Sequence, residues 1–184
     1  MSVPDTPFWI YSLTTYGRED VAARCLALQD RFGLDVNLIL LCCWLGSRSA
    51  VLDRVQANQA VVLADKWATP VIAPLRAVRR HLKSEAADEN TSRFRKQLAA
   101  LELDAEKIQQ SRLYERFGSL PSNSDESLLQ TTINNSMNYL TALGRPLEPP
   151  LRETLVKLFA AVFPGETEAD IVSSLALSTN DSTI

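Results

Sequence analysis

"GLDVNLILLCCWL", residues 33–45, decides how the rest of the chain is read. Eight apolar residues run unbroken from Leu38 to Leu45, and Asp35 and Asn37 stand just before them. Asp35 follows Gly33 and Leu34, which is where a helix N-cap belongs. Its carboxylate can accept from the free backbone N–H of Asn37 or Leu38. Leu34 and Ile39 have the spacing of a hydrophobic staple. The helix predicted from Val36 to about Gly46 is apolar all round, so it is expected at the centre of the molecule. Its start is then sealed from water, and a strong cap there matters more than on a surface helix.

Asn37 is harder to place. A buried amide carries two donors and an acceptor, all of which need partners. The expected partners lie in the aromatic N-terminal segment: Ser12, the hydroxyl of Tyr11 or Tyr16, or an indole N–H. Trp9, Trp44 and Trp67 fall, with Phe8, Tyr11 and Tyr16, in the first 67 residues. Two readings follow. One is a core with polar anchors. The other is an aromatic pocket formed by Trp9, Tyr11 and Trp44 over a floor of Asp35 and Asn37.

Outward from this centre the spacing is helical, and no sustained strand alternation occurs. A short helix over "PFWIYSLTTYG" is followed by one over "REDVAARCLALQDRFG", with Val21, Cys25, Leu28 and Phe32 on one stripe and Gly33 as its left-handed cap. A helix from "AVLDRVQANQAVVLADKW" carries Val51, Val62 and Leu63 as core candidates. Thr69-Pro70 reads as the start of the next helix, whose buried stripe is Val71, Leu75, Val78 and Leu82. A break or kink is placed at "DENTS". Phe94, Leu98, Leu101, Ala105 and Ile108 then form a 4-3-4-3 seam on a long helix. "SLPSNSDES" is a loop. Three shorter helices follow, the last opened by Thr167…Asp170 in capping-box spacing. The expectation is one all-α domain, a bundle of about seven or eight helices over residues 1–178, with 179–184 as a disordered tail.

The 184 residues suit one domain, and 46% apolar with 22% charged residues is an ordinary globular balance. The apolar run is far too short to span a membrane, which takes roughly 20 residues. The N-terminus carries Asp5 and no basic lead, so no secretory signal is expected, and the implied compartment is the bacterial cytoplasm. Cys25, Cys42 and Cys43 are read as reduced, buried thiols. Phosphate-binding glycine motifs, metal-ligand spacing and a nucleophile motif are missing from the sequence, so neither a catalytic residue, a metal nor a cofactor is assigned. His81, the single histidine, lies among arginines, with no carboxylate among its immediate neighbours in the sequence, and is read as a surface residue.

Charge is uneven. Residues 71–117 carry 10 basic and 7 acidic side chains, residues 118–184 carry 3 and 8. Arg76, Arg79, Arg80 and Lys83 cluster on one flank of their helix, either as an anion or partner surface or as chains running along the core edge, neutralised by Glu85, Asp88 and Glu89. Glu102 and Glu106, one turn apart, share a face with Gln109 or Gln110. They are read as a solvated face pairing with Lys107 or with arginines of a facing helix, against an acid/base pair.

"FWIYSL", "LALQDRFGLDVNLILLCCWL", the basic helix and "LELDAEK" together resemble a small uncharacterised proteobacterial family of cytoplasmic helical proteins, a domain of unknown function. The resemblance covers residues 8–117, and Gly33–Asn37 is its most specific part. The acidic third from 119 to 178 lies outside it and is read as a helical extension packed on the core. The family implies an all-helical, cofactor-free protein and carries no catalytic role. The first functional reading is therefore a non-enzymatic interaction or regulatory protein with an unknown protein partner, with a homodimer through the 93–117 helix as one form. The second is a small-molecule-binding protein or enzyme using the pocket near Asp35 and Asn37. The third, not favoured, is RNA or ribosome association through the basic helix.

Overall fold

The helix Val36–Gly46 sits where its composition puts it: every residue from Asn37 to Gly46 is buried. Asp35 caps it, accepting from the Asn37 backbone N–H at 2.8 Å. The computed structural model describes residues 3–84 and 88–180. In chain order the helices are α1 (Pro7–Tyr16), α2 (Val21–Phe32), α3 (Val36–Gly46), α4 (Arg54–Trp67), α5 (Ala73–Ser84), α6 (Glu89–Phe117), α7 (Leu128–Ala142), α8 (Pro149–Val162) and α9 (Glu168–Asn180). The fold is a single all-α bundle, and no helix among the described residues is long and apolar enough to cross a membrane.

Local chemistry sets most helix ends. Gly33 closes α2 at φ 66°, a left-handed conformation that glycine adopts without a Cβ clash. Asp53 and Gln56 form a reciprocal capping box on α4. Thr167 and Asp170 do the same for α9, where the Asp170 carboxylate accepts from the Thr167 N–H and the Thr167 hydroxyl accepts from the Asp170 N–H. The Arg18 guanidinium donates to the Val162 carbonyl at the end of α8.

Thr69-Pro70 does not start a helix. Residues Ala68–Ile72 form a π turn, closed by the Ala73 N–H donating to the Ala68 carbonyl, and α4 runs through it into α5. A proline inside a helix removes one i→i−4 bond and crowds the carbonyl four residues back; the wider turn takes Pro70 without ending the helix. The nine α-helices among the described residues thus make eight rods.

Three expected stripes are rotated. α4 turns Ala57, Ala60 and Ala64 inward and leaves Val55 and Val62 exposed. Small side chains let helix axes approach closely, and here close approach outweighs the larger apolar area of valine. In α5, Ile72 just before the helix is buried, Val78 is exposed, and Val71, Leu75 and Leu82 are only half-buried. In α6, Leu98, Glu102, Ala105, Gln109, Gln110 and Leu113 are buried, while Phe94 and Leu101 are half-exposed. The inward polar groups of α6 are there because neighbouring helices supply partners, as the next section sets out.

α7 lies along α3 and is its most extensive partner. One cluster of buried apolar residues runs from Phe8 to Leu175, so α7, α8 and α9 share the core of the earlier helices. α7 also holds the loop after α3. The Asn135 amide donates to the Ala50 carbonyl at 3.0 Å and accepts from the Leu52 N–H at 2.7 Å, and Asn138 donates to the Leu52 carbonyl at 2.9 Å. Buried loop backbone needs such partners, because its polar groups lack the regular bonding of a helix. α9 continues to Asn180, two residues into the segment read as a tail; residues 181–184 lie outside the described residues.

Candidate functional site

Between α3 and α6 a chain of polar side chains crosses the bundle. The Gln109 amide nitrogen donates to Asp35 Oδ2 at 2.8 Å and to the Ala64 carbonyl at 3.2 Å. Gln109 Oε1 accepts from Asn37 Nδ2, and Asn37 Oδ1 accepts from Gln110 Nε2 at 2.7 Å. At the far side the Tyr139 hydroxyl of α7 accepts from the Asp35 backbone N–H at 3.0 Å. Asn37 therefore ties α3 to α6 and not to the aromatic first helix, whose Ser12 hydroxyl has no partner among the described residues. Two glutamines one residue apart can both reach Asn37 because they straddle the face that α6 turns to α3 (a placement set by packing, not by sequence spacing).

A second polar layer joins α5 to α6. Arg76 donates from Nε to Glu102 and from a terminal nitrogen to Glu106, both at 2.8 Å. Arg79 donates to both oxygens of Glu102. Glu102 is buried, so the expected solvated face is an inward ion-pair layer. The arginines of the facing helix are its partners, as the sequence allowed. Lys107 instead pairs with Asp5 at 2.6 Å and lies over the Trp9 ring. Arg80 pairs with Asp30. Three of the four residues of the supposed basic face are thus neutralised by acids from α2 and α6, which sequence proximity could not reveal; Lys83 and His81 are exposed. Asp88 caps α6 through the Thr91 N–H, and Glu85 lies outside the described residues.

Titration follows this packing. Burial pushes the Asp35 carboxyl above the usual carboxylate range, against the pull of its bonds from Gln109 and the Asn37 and Leu38 backbone. Burial also raises Glu106, with the Glu102 and Asp35 charges adding to it and Arg76 opposing it. Burial acts upward on Glu102 too, but bonds from Arg79 and Arg76 outweigh it and leave that carboxyl lowered. The three acids therefore differ by their partners and not by residue type.

Two clefts flank the polar chain. One, of about 470 Å³, lies by the start of α3 and the π turn, and Asp35, Gln109 and Tyr139 line it. The other, of about 490 Å³, lies between α1, α2, α3, α5 and α6, and Trp9, Ser12, Tyr16, Asn37 and Gln110 line it. Gln29, Val36, Asn37, Arg76 and Glu106 line both. Of the residues assigned to an aromatic pocket, Trp9, Asp35 and Asn37 meet these clefts. Tyr11 lines neither, and Trp44 is a core residue with its ring 5.3 Å from Phe8 and 5.6 Å from Tyr114. Gln109 and Gln110 were legible only as neighbours of the carboxylate pair, and Tyr139 gave no local signal at all.

An all-helical bundle with a directed amide chain between its central and longest helices, flanked by two clefts, defines the class. The chain belongs to the family described as "Protein of unknown function (DUF2390)", whose model matches residues 7–113. That stretch holds the whole amide chain and the ion-pair layer and stops short of Tyr139. Comparison with curated proteins and with solved structures gives no match.

Proposed function

We propose that the protein binds a small organic molecule in the 490 Å³ cleft between α1, α2, α3, α5 and α6. The observation that carries this reading is a pair of buried polar atoms without a partner among the described residues, Ser12 Oγ and Gln110 Oε1, on residues that line one cleft. Buried polar groups are nearly always hydrogen-bonded, so a ligand that completes them gains more than one docked on a flat surface. The volume is of the size that ligand sites use, roughly 300–1,000 Å³. Native mass spectrometry after incubation with the small-molecule fraction of a cell extract tests it. The wild type retains a bound species, and Ala99→Trp, which places an indole in the cleft from an exposed position, loses it. Identical spectra for the two proteins would overturn the reading.

The interaction reading keeps one specific support. Phe94 and Leu101 are half-exposed on α6, an apolar pair that a second copy of the chain would cover. Light scattering that shows only monomer at high protein concentration removes that homodimer.

A further inference from the structure

We propose that this cleft selects uncharged amphiphiles whose polar head donates a hydrogen bond to Gln110, a primary amide being the simplest case. The proposal rests on the ligand-binding reading above and deepens it.

The direction of the amide chain carries the argument. The Ala64 carbonyl can only accept, so the Gln109 nitrogen must face it, as it also faces Asp35 Oδ2. Gln109 Oε1 is then committed to the Asn37 nitrogen, and the Asn37 oxygen to the Gln110 nitrogen. Turning Gln109 or Asn37 over would set oxygen against oxygen on one side and N–H against N–H on the other, and turning Gln110 over would set its oxygen against the Asn37 oxygen. Gln110 is thereby forced to keep its oxygen off the chain, and that oxygen is buried without a partner among the described residues. On a residue that lines the cleft this leaves an acceptor, covered from water, whose orientation is fixed by a backbone carbonyl on α4. The Ser12 hydroxyl, the other unpartnered atom on a residue lining this cleft, can give a hydrogen bond as well as take one, and it suits the oxygen of the same head.

Charge and shape narrow the ligand further. The charged residues lining the cleft are Arg76, Arg79, Glu102 and Glu106, and they are bonded to one another, two cations against two anions. A charged head would have to break this layer to find a counter-ion, and an uncharged one would not. Leu13, Leu26 and Leu103 line the same cleft and remain about half-exposed, so an apolar body has surface to cover.

The test uses octanamide, octanoate and octylammonium, three probes with one chain and three heads, titrated calorimetrically into the whole protein. Octanamide is expected to bind about tenfold more tightly than either ion: octanoate leaves the Gln110 acceptor bare, and octylammonium, which can donate to it, is stripped of water with no free counter-ion in the cleft. Gln110→Met is expected to erase most of the preference over octanoate, and Ser12→Ala to weaken octanamide, with melting curves confirming that both variants fold. Octanoate or octylammonium binding as tightly as octanamide to the wild type overturns the head-group inference without needing any variant. If all three bind equally and Ala99→Trp blocks them, the cleft is a ligand site and only this inference falls. If none binds while the wild type still retains a species from extract, the inference falls and the site stands.

Discussion

A Cβ added to Gly46 of α3 would stand 2.0 Å from Thr132 Oγ1 and 2.7 Å from the Thr132 backbone N and Cα of α7. The central helix and its main neighbour meet backbone to backbone there, and no side chain fits between them. Gly46→Ala is therefore expected to destabilise the protein by about 1–3 kcal/mol or more through overpacking, despite the better helix propensity of alanine. Thr132→Ala in the same chain should not rescue it, because the Thr132 backbone remains in the way. Urea denaturation measures both; a Gly46→Ala protein as stable as the wild type would show that α3 and α7 can part without cost.

Asn37→Leu removes one acceptor and one donor from two buried glutamines. Each orphaned group costs about 1–3 kcal/mol, and Gln110 borders a cleft that can relieve part of its share, so a loss of about 2–4 kcal/mol is expected. Adding Gln110→Met should recover some of it in a double-mutant cycle, whereas adding Ser12→Ala should recover none. Recovery by Ser12→Ala would place the amide on the first helix after all.

Glu102→Ala takes from Arg79 the carboxylate it is bonded to and leaves Arg76 with Glu106 alone. Breaking a fully buried pair costs about 3–5 kcal/mol, and the partial exposure of these arginines reduces that to roughly 1–3 kcal/mol. Chemical denaturation in low and high salt checks it. A loss that disappears entirely in high salt would mean the layer behaves as a surface pair.

Asp35 sets a pH dependence of definite sign. Its folded carboxyl is raised by burial, so the folded protein holds that proton more tightly than the unfolded chain does. The associated stability is fully present below the unfolded pKa, about 3.9, and is lost as pH rises through the folded value. Glu106 acts in the same direction and Glu102 in the opposite one, so the difference between two proteins is the clean readout. Asp35→Asn keeps a good cap and lacks the titration; relative to it, the wild type is expected to lose stability as the pH climbs from about 4 toward neutrality. A difference that is flat or rises with pH contradicts the shift.

The three cysteines are buried and free. Burial raises the Cys25 and Cys42 thiols to about 12 and Cys43 well above its ordinary value, so the reactive thiolate is scarce at neutral pH. A maleimide reagent should label them only at the rate of unfolding, and labelling within minutes under native conditions would refute this.

What the sequence determined by itself was whatever depends on neighbours in the chain. The all-helical class, the bounds of α3, the Asp35 cap, the Gly33 terminator and the Thr167–Asp170 box all follow from periodicity and from side chains bonding backbone a few residues away. Tertiary structure decided which face of each long helix turns inward. Hydropathy favours Val62 over Ala64 and Leu101 over Glu102, yet packing takes Ala64 for its small size and Glu102 because Arg76 and Arg79 meet it. The π turn at Pro70 and the pairing of Asn37 with Gln109 and Gln110, 72 and 73 residues away, were equally beyond local reading. A buried polar group announces only that it needs a partner. Which partner it finds is fixed by how the helices are set against one another, a property of the whole core and not of any segment of the chain.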